Sequence, residues 1–516
     1  MAFLQPQAMV SEPERERGLR LLVIEALFSG GAAALTTGTI LTAFALHLNA
    51  SNAMIGVLAS IPFASQLLQL PAILIVERTR QRKVVAVLTS VIGRLMLAVM
   101  AITAFFSGGA ALLVFLAAQI ILTGLGAIGS CAWNAWVRDL APEDRLGGVF
   151  ARRTVWLTAV NLALGLAAAL ALGLTGEGSP ARNWVFAGMF AIGCLTGMVS
   201  ARMVAMMPEP LMAPQAGPLR LGALLKRPLT DGNFRRLLAF VASWQFAVNL
   251  ATPFFTVFIV RQLGFDVWFV MVLSVVSQAA NIVALRFWGR LSDRFANKSV
   301  MAVCAPAYIV SIVAMIGASQ IEARTGIAAW LVVLHVAMGV SVAGVTLGST
   351  NIALKLSPKG GATAYVAANA LATAAAAGLA PILGGLLADF FAQRQFELLA
   401  RWSSPHGLLS FSFGLTHWDF YFLIAGVLGL YAVHRLSLVA EQGEIERHEM
   451  ISHMLGETRR TIRNISTVAG LRAATNLPSS LLRDARRLRQ KRLRRHNSRS
   501  DTARRRATGR NREEPR

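Results

Sequence analysis

The sequence predicts an all-α integral membrane protein of twelve transmembrane helices, arranged as two pseudo-symmetric six-helix bundles. Three observations carry that prediction. Twelve apolar stretches, each close to the roughly 20 residues a helix needs to cross a bilayer, run from Leu21 to about Arg435. The second six echo the first six at a nearly constant offset: Arg20 and Arg236, Glu77 and Asp293, and Pro142 and Pro358 each stand 216 residues apart (236 − 20, 293 − 77, 358 − 142). The chain is also 55% hydrophobic over 516 residues while carrying a formal charge of +24, a combination that ordinary soluble domains lack. Segregation reconciles the two values, because apolar residues fill the stretches while arginine collects in alternate loops and in one tail.

The spans are expected at 21 to 46, 53 to 76, 84 to 106, 110 to 133, 154 to 174 and 184 to 207, then at 237 to 260, 268 to 288, 300 to 319, 327 to 352, 363 to 388 and 418 to 438. The first is too long for a signal-peptide core, lacks a small-residue cleavage site and follows mixed acids and bases, so it is expected to remain as a span. Residues 1 to 20 then form an N-terminal segment, 21 to 207 and 237 to 438 the two bundles, and 208 to 236 a linker whose prolines and glycines interrupt the apolar pattern. Residues 439 to 516 form a basic tail, expected to be largely disordered toward its Arg-rich end. Arg15, Arg17, the Glu77-to-Lys83 loop, Arg138, Arg145, Arg152, Arg153, Arg290, Arg294, Lys298, Lys355, Lys359 and the tail fall on one side, against Arg182, Arg261, Arg324, Arg394 and Arg401 on the other. The positive-inside rule therefore places both termini in the cytoplasm of a cell whose inner membrane holds the chain. Cys131, Cys194 and Cys304 lie within or beside spans at no metal-ligand spacing and are read as packing residues. No cofactor or metal is expected.

The sharpest motif is Gly289-Arg-Leu-Ser-Asp293-Arg294-Phe-Ala-Asn-Lys298, with a first-half copy in Ile73-Leu-Ile-Val-Glu77-Arg78-Thr-Arg-Gln-Arg82. It resembles the Gly-x-Leu-x-Asp-Arg-x-x-x-Lys/Arg loop of the major facilitator superfamily of secondary transporters, a resemblance that covers roughly Leu19 to Leu438. In the first copy Ile73 replaces the leading glycine. The resemblance implies that Glu77, Arg78, Arg82, Gly289, Asp293, Arg294 and Lys298 form gating loops that stabilise one state of the transport cycle. A carboxylate followed by bases is chemically suited to cap a neighbouring helix and pair across the bundle interface; simple retention of basic loops is the alternative. The repeated Pro142 and Pro358 are read as turns between spans. Pro381, within Gly378-Leu-Ala-Pro381-Ile-Leu-Gly384-Gly385, resembles a glycine-proline motif of proton antiporters but stands in span eleven rather than five.

The resemblance also implies that spans one, four, seven and ten line the cavity, which directs attention to their polar residues. Gln245, Asn249 and Thr252 share one face of span seven at helical spacing, span one offers Thr36 and Thr37, and Gln119 and His335 stand 216 apart (335 − 119) on spans four and ten. Polar bonding between packed helices is the competing role. Ser274, Ser277, Gln278 and Asn281 on span eight are assigned mainly to the interface between halves. Two ionisable residues lie inside spans, Glu25 and Arg94, where a central charge costs roughly 2.5–3.5 kcal/mol unless paired or hydrated. Reach permits an ion pair between them, structural or proton-coupled.

The leading function is secondary active transport of a small organic solute by alternating access, with proton coupling open. A non-transporting membrane regulator or assembly factor acting through the tail is the alternative. Partners are the solute, the bilayer and anionic lipid beneath the tail; nucleic acid is not expected, since no aromatic residues interleave the bases. No Gly-x-x-x-x-Gly-Lys-Ser/Thr loop occurs, which argues against nucleotide hydrolysis, and no nucleophile–base pair marks an enzyme.

Overall fold

The computed structural model describes residues 5–176, 178–212, 221–358, 362–404 and 407–441. The tail from residue 442 and Lys359 lie outside that set, as do the side chains of Arg145, Asp293 and Arg401. Along the chain run α1 (Glu12–Thr36), α2 (Thr39–His47), α3 (Asn52–Gln66), α4 (Gln69–Thr79), α5 (Arg82–Thr103), α6 (Gly109–Leu140), α7 (Glu143–Gly173) and α8 (Pro180–Met206). There follow α9 (Leu221–Thr230), α10 (Gly232–Val257), α11 (Val267–Phe295), α12 (Asn297–Val313), α13 (Arg324–Lys355), α14 (Ala362–Phe391), strands β1 (Gln395–Ser404) and β2 (Gly407–Thr416), and α15 (His417–Ser437). Among the described residues twelve helical segments are long and apolar enough to cross a membrane, so the protein is a multi-pass membrane protein.

Helix starts follow local chemistry. The Glu14 carboxylate accepts from the Ser11 amide at 3.0 Å ahead of α1, Ser51 accepts from the Met54 amide at the start of α3, and Asp231 accepts from the Asn233 and Phe234 amides at the start of α10. Each satisfies amides that a helix N-terminus leaves without intrahelical acceptors. The Pro-rich linker holds the short helix α9, and α10 continues into a π-helical turn at Phe258–Gln262.

Packing repeats between the halves. Span one (α1) lies on spans five and six (α7, α8), and span seven (α10) lies on spans eleven and twelve (α14, α15). Span three packs on four and six, and span nine on ten and twelve. Phe44 sits among Phe115, Phe186 and Phe190 with ring centroids 5.0–5.1 Å away, joining spans one, four and six. Phe258 packs on Trp418 and Phe422 in the corresponding place between spans seven and twelve.

The halves meet along two seams. Span two meets span eleven through small residues: a Cβ on Gly56 or Gly385 would collide with the Pro381 carbonyl or with Asn52 backbone, so glycine is what permits that approach. Span eleven packs on α3, while α4, the continuation of span two, packs on α5 and α6 of its own half. Span five meets span eight, with Trp268 against Gly173.

Two features depart from the sequence reading. Span one is divided at Thr37–Gly38 instead of running through as one helix. The stretch between spans eleven and twelve folds as an antiparallel hairpin, Gln395 opposite Thr416 through Ser404 opposite Gly407.

Candidate functional site

Gly38 has φ +61° and ψ −128°, a region open to glycine and strained for every L side chain. A Cβ there would meet nothing within 4 Å, so the residue is required by backbone conformation and not by crowding. The break leaves α1 ending and α2 beginning inside the membrane. The Thr36 and Thr37 hydroxyls donate to the Ala32 and Ala33 carbonyls at 2.7 Å, so both are tied back onto the last turn of α1. No side chain caps α2, so its first-turn amides keep no intrahelical acceptor. Unwound backbone is tolerated at membrane depth only where protein or a cavity supports it.

A cavity of about 370 Å³ opens beside this break, at the seam of spans one, five and eight. Thr37, Gly38 and Thr39 line it from the first span, Thr158 and Asn161 from the fifth, and Ser274 and Gln278 from the eighth, with Leu157, Met271 and Val275 between them. Thr39 lies 3.3 Å from Ser274 across the two halves; because the Ser274 hydroxyl donates to the Val270 carbonyl, Thr39 is the donor. The Thr158, Asn161 and Gln278 side chains make no hydrogen bond among the described residues. The cavity therefore has unspent amide groups on both of its walls.

Inter-half ties hold the end of the bundle opposite the N-terminal segment and linker. Arg182 pairs with Asp266 at 3.4 Å, Arg261 donates to the Ala50 carbonyl at 2.8 Å and to Asn52, and the Ala53 amide donates to Asp389 at 2.9 Å. Two of the few arginines on that side of the sequence are thus spent on closing it.

Residues 22–321 and 237–464 match the profile of the Major Facilitator Superfamily. The chain belongs to the major facilitator superfamily. Solved structures similar to this member include a mutant form of the nucleoside transporter NupG (14% identity, TM-score 0.62, covering 82% of this chain and 100% of that one). A D-xylose–proton symporter is similar at 14% identity and TM-score 0.59, with 84% and 99% covered. The inward-open xylose transporter XylE from E. coli follows at 16% identity and TM-score 0.54, with 84% and 98% covered. Among curated proteins no sequence matches. At these identities the likeness shows the fold.

Of the polar candidates named from this superfamily's pattern, Thr37 lines the cavity. Thr36 is buried; Asn249 donates to the Gln245 carbonyl and side chain at 2.8 and 3.1 Å; Thr252 donates to Val248 and meets Tyr308. His335 Nδ1 lies 2.8 Å from the Leu331 carbonyl, and Gln119 Oε1 is buried with no hydrogen-bond partner among the described residues. Ser274 and Gln278, assigned to the interface, line a cavity that is itself in the interface. Thr158 and Asn161 stand on span five, outside the four spans that the resemblance assigns to the cavity, so the sequence does not single them out.

Glu25 is buried, and its carboxylate takes Arg153 at 3.1 Å and Ser200 at 2.7 Å, while Arg94 interacts electrostatically with the same carboxylate. Arg94 lays its stem against Gly197, where no larger residue would fit. Arg153 also stacks on Trp133, 4.9 Å from the ring centre. The triad ties spans one, five and six.

Two of the loop residues, Arg82 and Lys298, are tied to acids that follow the last span of their own half. Arg82 is buried with Glu209, which follows span six: Glu209 accepts from the Arg82 and Lys83 amides at 2.8 and 3.2 Å and from Arg82 Nε at 3.3 Å. Arg82 also pairs with Asp139 and donates to the Ala135 and Pro210 carbonyls. The second half repeats the device. Glu441, following span twelve, accepts from the Lys298 amide at 2.7 Å, Asn297 at 2.9 Å and Lys355 at 3.0 Å. Lys298 and Lys355 stand 216 residues after Arg82 and Asp139 (298 − 82, 355 − 139). These bonds of Arg82 and Lys298 run inside one half each. Glu77 and Gly289 are partly buried, and Arg78 and Arg294 exposed.

Proposed function

We propose that this protein is a secondary transporter that moves a small organic solute across the inner membrane by alternating access. The observation that carries the reading is a cavity with polar groups on both walls at the seam of two repeated halves, beside a break in a membrane-spanning helix. Broken spans with bare helix ends are where transporters of many folds hold their solutes. Arginine distribution supports cytoplasmic termini, and in this reading the end tied by Arg182–Asp266, Arg261 and Asp389 is the outer one. The structure then corresponds to a state closed outward.

Gating by the loops that carry Glu77 and Asp293 requires, in this reading, that the loops change partners between states. The exposed Arg78 and Arg294 are the side chains placed to do so. Glu25, held by Arg153 and Ser200, is the buried carboxylate to test for proton coupling. The experiment is solute counterflow in proteoliposomes of the purified chain, with and without a pH gradient. Exchange of a solute that also stabilises the protein supports the reading; a protein that binds solutes and exchanges none of them overturns it.

A further inference from the structure

We infer that the transported solute is uncharged and polyhydroxylated, of monosaccharide or small-polyol size. The inference deepens the transport reading and rests on it. Size comes first: about 370 Å³ lies at the small end of the roughly 300–1,000 Å³ typical of small-molecule sites. Charge comes second. Among the described residues the lining includes no Asp, Glu, Lys, Arg or His, and the buried Glu25 is already held by Arg153 and Ser200. An ion seated here would give up part of its water without meeting a counter-charge, which is unfavourable at membrane depth.

Hydrogen-bond capacity then selects among neutral solutes. Asn161 and Gln278 face the cavity from opposite halves, each with an unspent carbonyl and an unspent NH₂. Thr37 and Thr39 have spent their protons on the Ala33 carbonyl and on Ser274, so they offer lone pairs only. The uncapped start of α2 offers amide donors only. Donors and acceptors thus stand together on one lining, and hydroxyl groups, each of which is both, match them. An ammonium would leave the donors unmatched, and a carboxylate would leave the threonine lone pairs unmatched. Among the described residues no aromatic ring lines the cavity, so a flat apolar ring system has no face there to stack on. Because Asn161 and Gln278 belong to different halves, a solute bridging them also links the parts that must move.

The test uses the purified full-length protein and a defined panel: D-xylose, D-glucose and mannitol against glutamate, lysine and inorganic phosphate. Thermal melting and equilibrium binding should show stabilisation by at least one of the first three and by none of the last three. Asn161→Leu and Gln278→Leu should each melt like the unaltered protein without solute and weaken binding at least tenfold; Thr158→Val supplies a third variant should either fail to fold. Stabilisation by the charged members alone, by no member, or with affinity untouched by these variants overturns the inference. Vesicle counterflow separates the two readings. Exchange of a charged solute would keep transport and overturn the solute class, whereas cavity-dependent sugar binding with no flux in either direction would keep the class and overturn transport.

Discussion

Gly38 shows how much a single backbone position controls. With no atom within 4 Å of an added Cβ, Gly38→Ala introduces no clash, and its whole effect comes from forcing alanine into φ +61°, ψ −128°. Strain of this kind costs about 1–3 kcal/mol, so the variant should melt lower and lose transport out of proportion to the lost stability, read by melting and counterflow together. Glu209 and Asp139 give a second comparison at this scale, since both bind Arg82. The Glu209 side chain is 0% exposed and Asp139 46% exposed. Removing the first leaves Arg82 Nε and the Arg82 and Lys83 amides without their acceptor, which approaches the loss of about 3–5 kcal/mol of a broken buried pair. Removing the second should cost about 1 kcal/mol or less. Unfolding of Glu209→Ala and Asp139→Ala side by side reads the difference; equal losses would refute the assignment of Glu209 as the anchor.

At the scale of elements, legibility followed the range of the interactions. The twelve spans and their offset could be read because apolar length and loop charge are local, and each span in the structure lies where its apolar run does. The break in span one has one local sign: Thr37-Gly38 stands 215 residues before Thr252-Pro253 (252 − 37). Both halves place a helix-disfavouring residue there, but Pro253 stays within α10, whereas Gly38 reaches a conformation that ends a helix. The glutamate caps were invisible because Glu209 acts on amides 126 and 127 positions away and Glu441 on one 143 positions away. Their sole signal was an acid just after the last span of each half. Glu441 makes this testable by pH. Burial alone would raise its carboxyl, but the Lys298 amide, Asn297 and Lys355 together hold it below the ordinary 4.5. A depressed carboxyl contributes stability that is complete above the unfolded value and is lost as pH falls through the folded one. The melting advantage of the unaltered protein over Glu441→Gln should therefore be constant above about pH 4.5 and shrink below it; an advantage that grows on acidification contradicts the cap.

For the whole molecule, the proposed alternating access requires that the ties between the halves at Asp266, Arg261 and Asp389 be temporary. Span two and span eleven are packed closely enough there that the Ala53 amide reaches Asp389 at 2.9 Å, and the span-five to span-eight seam closes the other side. If the halves rock, these contacts must separate once per cycle, so a covalent bridge across them should stop transport without unfolding either half. In a background lacking Cys131, Cys194 and Cys304, Ala53→Cys with Asp389→Cys, bridged by a short reducible thiol cross-linker, should abolish counterflow. Reduction should restore it, and either single cysteine treated alike should remain active. The same bridge should leave solute binding from the cytoplasmic side intact, because it holds the protein in the state already seen. Full transport with the bridge in place would mean that the seam of spans two and eleven does not open, and that the repeated halves form a rigid scaffold instead of two moving parts.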